Sequence, residues 1–232
     1  MVSVPTLNNL SRFSLIQQCN FLGLDIIEYK LAKKLQNNKW YLHDGKIVNS
    51  PEQCAFNIMQ KEGYEGSFCE GGAILTLLKA ASLNYLAKIN IFNERNDACT
   101  RYLEAQFTIY NDKIDKIISE IMEATEFSIR NNFEEIYSYS FIRSIYPGLN
   151  SKIIIGIWKA IGRSRLLEIV NLFSKNPYTY RSGWPDLTLY KGEEILFIEV
   201  KTIDKLHGSQ ITIINDIINP IKLNCKVLRL IH

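Results

Sequence analysis

The sequence predicts an α+β protein, a large helical body followed by a compact β-β-α-β end. Three observations carry this. Apolar residues recur at helical spacing across residues 51–175. After Pro177 the hydrophobic period drops from about 3.6 residues to about 2: in "DLTLY", Asp186, Thr188 and Tyr190 alternate with Leu187 and Leu189. The strand patterns "DLTLY" and "ILFIEVK" are then separated only by Lys191-Gly192-Glu193-Glu194, a spacing that suits an antiparallel hairpin. A helical pattern near 209–218, stopped at Pro220, and the strand pattern "KVLRLI" complete the chain.

Taken in order, "GLDIIEYKLAKKL" places apolar residues at 24, 26, 27, 31 and 35, which suits one buried face of a helix. "NNKWYLHDGKIV" reads as a short hairpin around Asp44-Gly45. Ser50-Pro51-Glu52 is a helix start with a capping serine, proline in the first position and an acid in the first turn. That helix is expected to reach Lys61 and stop near Gly63. A loop with Gly66, Gly71 and Gly72 leads into an apolar helix over 73–89. Further helices are expected over 101–145, a break at Pro147-Gly148, and one or two apolar helices over 151–173.

With 232 residues, 47% hydrophobic and 22% charged, the composition is that of an ordinary soluble globular chain. "IIIGIW" (153–158) is too short to span a bilayer, and the apolar run 73–87 is interrupted by Lys79. "MVSVPTLNNL" lacks the basic and apolar regions of a signal peptide, so the expectation is a cytoplasmic protein, or one secreted by a route that needs no such signal. The five cysteines are odd in number and none has CxxC spacing, which favours buried thiols over disulfides or zinc. Residues 151–232 carry net +5, against −5 for 51–150. A basic segment suits a polyanion partner, and equally a solvated basic face.

The hairpin has a specific consequence. If its loop is symmetric, Tyr190 faces Ile195 and Asp186 faces Glu199. Directly opposed residues have Cβ atoms about 4.5–5.5 Å apart, so the two carboxylates repel. A divalent cation removes that penalty; Mg²⁺ takes oxygen ligands, commonly one or two carboxylates plus waters and phosphate. Glu199 and Lys201 are two apart and share a strand face, placing the ammonium beside the carboxylates. Ile198 and Val200 then point the other way, into the core. A plain Glu-Lys pair on a half-exposed hairpin is the competing reading.

Pro185-Asp186 with Glu199-Val200-Lys201 matches the PD-(D/E)xK nuclease pattern, and "GWPDLTLYKGEEILFIEVK" resembles the VRR-NUC family within it, most of all the nuclease domain of the Fanconi-associated nucleases. The likeness extends to "SPEQCAFNIMQKEGYEGSFCEGGAILTLLKAASLNYL", to "RYLEAQ" (101–106) and to "DKLHGSQ" (204–210). It runs from about residue 50 to the C-terminus and leaves residues 1–50 as an N-terminal extension, helical with a possible hairpin.

The resemblance implies a restriction-endonuclease-like core over 51–232. It would hold a small mixed sheet, a large helical insertion over 51–175 and the catalytic β-β-α-β end over 178–232. It implies a metal-dependent DNA endonuclease using Mg²⁺ or Mn²⁺. The metal ligands would be Asp186, Glu199, Glu70 and the Val200 carbonyl, with Lys201 and Gln210 as further catalytic residues. Glu70 and Val200 rest on the resemblance alone. Glu52 is either a helix-capping acid or a site residue, and His207 reads as a surface histidine. At this length the expectation is that the chain does not include the modules that steer the repair enzymes to flaps. Compact relatives include structure-specific phage nucleases and secreted antibacterial toxins, so an immunity protein is a candidate partner beside DNA. The competing function is a non-catalytic nucleic-acid-binding module on the same fold.

Overall fold

The computed structural model describes residues 4–31, 33–34 and 39–231. Its centre is a five-stranded mixed sheet in the order β1-β8-β7-β6-β5. The strands are β1 (Asp25–Lys30), β5 (Glu65–Ser67), β6 (Leu187–Lys191), β7 (Glu194–Lys201) and β8 (Asn224–Ile231). β1, β8 and β7 run parallel, while β6 and β5 are antiparallel additions. A three-stranded sheet, β2 (Lys33–Lys34), β3 (Trp40–Tyr41) and β4 (Ile47–Val48), is separate from it in strand pairing.

Both faces of the main sheet are covered, as parallel strands require. On one face Leu187, Leu189, Leu196, Ile198 and Val200 pack with Cys54, Ala55, Ile58 and Met59 of α2 (Pro51–Lys61) and with Trp40 and Val48. On the other, Ile195, Phe197 and Val227 join the larger core. That core is built mainly from α3 (Gly72–Lys88), α6 (Ile114–Glu123), α7 (Glu126–Ser138) and α9 (Ser151–Lys175). The short helices α4 (Arg95–Thr100), α5 (Leu103–Ile109) and α8 (Ser140–Ile145) connect these. α3 is buried on nearly every side, which explains an apolar pattern with no polar stripe.

The element expectations hold over most of the chain. Ser50 caps α2 by accepting the Gln53 N–H at 3.1 Å, and Gly63, at φ +86°, follows its end. α9 kinks at Gly162, whose φ of +73° no helix interior adopts, so the stretch is two helices in line. The β6–β7 turn is tighter than the four-residue loop expected: Lys191 already pairs with Glu194 around Gly192-Glu193. The tightening is symmetric, so Tyr190 still faces Ile195 and the register is unchanged. The 209–218 helix is α10 (Gly208–Ile213) continued by a π turn, Ile214–Ile218.

The expected helix over 24–35 is a correction. Residues 25–30 are β1, paired in parallel with β8, and Leu35 lies outside the described residues. The preceding helix, α1 (Leu15–Leu22), is closed by Gly23 in the left-handed region at φ +69°. Ile26, Ile27 and Tyr29 then suit a strand, and the open edge of β8 supplies the partner. The N-terminal segment expected as an extension thus contributes the edge strand of the main sheet. No described helix is long and apolar enough to cross a membrane, and all five cysteines are free.

Candidate active site

Strand parity puts Asp186, Glu199 and Lys201 on the face of the sheet that meets the helical layer. β7 is the middle strand, and both charged residues on it are buried: Glu199 is 0% and Lys201 3% exposed. Asp186 stands one residue before the β6 ladder begins. In place of a backbone rung, its Oδ2 accepts the Val200 N–H at 2.7 Å. The side chain therefore extends the β6–β7 register by one step and sits beside Glu199.

The local sequence "GWPD" (183–186) is shaped by close packing. Gly183 takes φ +89°, and a Cβ there would overlap the backbone of Ser209 at the start of α10. Trp184 is buried against Gly71, where a Cβ would overlap its ring, and its Nε1 donates to the Tyr180 carbonyl at 2.8 Å. Glu70 N–H donates to the Asp186 carbonyl at 3.2 Å. The contact brings the start of α3 to the start of β6, across more than a hundred residues of chain. Glu70 itself adopts φ +49°, a conformation that an L residue holds at a cost of about 1–3 kcal/mol.

Glu199 and Lys201 belong to a connected network, beside which Asp186 is held by the Val200 N–H. Lys201 Nζ lies 2.9 Å from Glu199 Oε1, 3.1 Å from Asp204 Oδ2 and 3.2 Å from Gln210 Oε1. Gln210 Nε2 donates to Glu199 Oε1 at 2.5 Å, and its Oε1 also accepts the His207 N–H at 2.8 Å. Gln210, expected beside the site, is therefore a direct partner of both Glu199 and Lys201. Asp204 was not singled out from sequence, although it lies in the quoted "DKLHGSQ" segment.

One acceptor is left over. Glu199 Oε2 is buried and, among the described residues, has no hydrogen-bond donor. Burial and the adjacent Asp186 carboxylate push Glu199 up to about 8. Burial raises Asp186 to about 6, with Glu52 and Glu70 adding to the shift. Burial pulls Lys201 down, but Glu199 and Asp204 more than offset this and hold it above its usual range. The site therefore holds one cation against more acid than it can neutralise.

Asp186, Glu70 and Glu52 line one open cavity of about 490 Å³, with Ser50, Phe68 and Tyr146. Glu70 is exposed and Glu52 half-buried. Among the described residues, no three His, Cys, Asp or Glu side chains converge closely enough to hold a metal by themselves. The pair Asp186–Glu199 does fit a hard divalent cation, which commonly binds through one or two carboxylates and otherwise through water and phosphate. The orphaned Glu199 Oε2 is the observation that favours that fit. Val200 contributes a buried side chain to the opposite core and its N–H to Asp186. Of the basic residues outside this network, Lys159 is tied to Glu126 at 2.7 Å.

No protein-family model matches the chain, and no curated protein matches it. Solved structures do. The crystal structure of paFAN1 bound to DNA with a two-nucleotide 5′ flap and a gap superposes with a TM-score of 0.62 at 13% identity, covering 93% of this chain and 41% of that one. The paFAN1 complex with a one-nucleotide 5′ flap and a gap gives 0.58 at the same identity and coverage. The chain thus spans about two fifths of the length of these neighbours. At this identity the likeness establishes the fold alone: a FAN1-like α+β fold.

Proposed function

We propose that this chain is a metal-dependent DNA endonuclease of the VRR-NUC type. The observation that carries the reading is the Asp186–Glu199 pair, half-buried and fully buried respectively, with a Glu199 oxygen that has no donor among the described residues, next to an ion-paired lysine at the end of a central strand. Such an arrangement is unfavourable in a purely structural protein. It becomes favourable once a cation and a phosphate are present. DNA as the substrate is supported by the two DNA-bound neighbours of the same fold.

In this reading Asp186 and Glu199 hold Mg²⁺ or Mn²⁺, with the Val200 carbonyl and Glu70 as further ligands. The bound cation would supply Lewis-acid stabilisation of the phosphodiester and a more acidic water. The chain's own groups do the rest. Asp186 is fixed by the Val200 N–H and lines the cavity. Lys201 presents positive charge where negative charge grows on phosphorus oxygens. Gln210 orients Glu199 and Lys201 at once. The cavity containing Glu52 and Glu70 is open to solvent and reaches Asp186, behind which Glu199 is buried.

The test is cleavage of supercoiled plasmid by purified protein with Mg²⁺ or Mn²⁺. Nicking is expected, abolished by EDTA and lowered at least about a hundredfold by Lys201→Ala. Cutting that survives both EDTA and Lys201→Ala overturns the reading. DNA binding that needs no metal and yields no cleavage of any substrate would instead indicate a non-catalytic binding module.

A further inference from the structure

Gln18 lies on α1, in the segment outside the stretch that resembles the nuclease family. Its side chain is 0% exposed. A buried amide is tolerated only when its hydrogen bonds are met. Gln18 meets them on main chain alone. Its Oε1 accepts the Leu206 N–H at 2.8 Å, and its Nε2 donates to the carbonyls of Leu206 and Leu10, both at 3.1 Å. For Leu206 the amide does what a neighbouring strand would do, pairing both backbone groups.

Leu206 sits in residues 202–207, between β7 and α10, which belong to no helix or strand. The groups that hold Lys201 stand on either side of it. Asp204, two residues before, accepts a hydrogen bond from the Lys201 ammonium at 3.1 Å and the Thr202 N–H at 3.3 Å. His207, one residue after, donates its N–H to Gln210, which bonds both Lys201 and Glu199. Elsewhere this loop borders an open cavity of about 630 Å³, lined among others by Ser11, Ser14, Ile203 and Lys205.

We propose that the N-terminal segment Leu10–Leu22 is a positioning element of the site: Gln18 fixes loop 202–207, and the loop, through Asp204 and Gln210, holds the Lys201 ammonium in place. Glu199 is shared between Lys201, Gln210 and the carboxylate pair, whereas Asp204 is held by Lys201 and the Thr202 N–H of its own loop and anchors Lys201 independently of Glu199. Gln18 and Asp204 are positioning residues and touch no reacting atom. The inference rests on the reading of Lys201 given above.

The test compares wild type, Gln18→Leu, Asp204→Asn, the double variant and Ile129→Ala, a core substitution in α7 far along the chain from the loop. Hydrogen–deuterium exchange of the metal-free proteins is measured over residues 202–207. Plasmid cleavage is measured with Mg²⁺. Gln18→Leu is expected to speed loop exchange about tenfold or more. It is also expected to lower kcat about tenfold, leaving KM within about twofold. Asp204→Asn is expected to lower kcat likewise, and the double variant to lose less than the product of the two single losses, because both act through the same loop. Ile129→Ala should lower the melting temperature while leaving loop exchange and kcat as in wild type. Loop exchange in Gln18→Leu within about twofold of wild type overturns the proposal, as does a multiplicative loss in the double variant. If wild type cleaves no DNA, the nuclease reading falls and loop exchange alone decides this proposal.

Discussion

The candidate site has two halves built on different principles. In the strand half, Glu199 and Lys201 are buried on the central strand and Asp186 is half-buried beside it, all held by ladder register and hydrogen bonds. The helix half, Glu52 and Glu70, sits at or just before helix starts and opens to a solvent cavity. Acids at helix starts are favourable anyway, through the partial positive charge of the free N–H groups. Acids side by side in a sheet are not. The comparison separates a rigid half that is unfavourable without a ligand from an adjustable half that folds at little cost. What joins them is backbone contact: Glu70 N–H on the Asp186 carbonyl, and Trp184 seated on Gly71.

The comparison can be broken most severely at the strand half. Asp186→Asn removes a charge that no neighbour can replace and should lower cleavage about a thousandfold, whereas Glu70→Gln should lower it only about ten- to hundredfold and in a way that excess metal partly restores. Kinetics over a metal titration checks both. Equal, metal-insensitive losses would erase the distinction between the halves.

A second prediction concerns pH. Asp186 and Glu199 are raised to about 6 and about 8 in the folded, metal-free protein, above their unfolded values near 4. Groups raised on folding contribute stability that is present at low pH and lost as pH rises through the folded value. Melting temperature of the metal-free protein should therefore fall between about pH 4 and about pH 8. Glu199→Gln should flatten that fall and raise stability at the upper end, while abolishing cleavage. Thermal unfolding in EDTA across that range measures it. A Glu199→Gln protein that is less stable than wild type at the upper end would refute the assignment.

The smallest expected effect lies at the joint between the halves. Gly71→Ala forces a Cβ into the Trp184 ring and should cost about 1–3 kcal/mol. Chemical denaturation reads this directly, and tryptophan fluorescence reports the displaced ring.

Much of the strand half was legible in the sequence. Period-2 alternation assigned the faces, and a short symmetric loop set Asp186 against Glu199 even though the real turn is two residues tighter. The helix half was legible only by resemblance, because nothing in "SFCEGG" states which distant strand it meets. Asp204 stood in a quoted segment but carried no local signal separating it from a loop aspartate. Gln18 had none at all: a glutamine on a helix looks like surface until its partner, Leu206, is brought in from the other end of the chain.

By itself, then, the sequence determined the α+β class, most helix boundaries, the β6–β7 register and the pairing of two carboxylates with a lysine. These depend on interactions between residues close along the chain, where caps, turns and periodicity act. The tertiary structure alone decided that residues 25–30 form a strand rather than a helix, since apolar spacing at 24, 26, 27 and 31 suits either and only the free edge of β8 selects one. It alone brought Glu70 to Asp186 and Gln18 to the loop beside Lys201, because contacts over such separations are fixed by how the layers pack around the sheet.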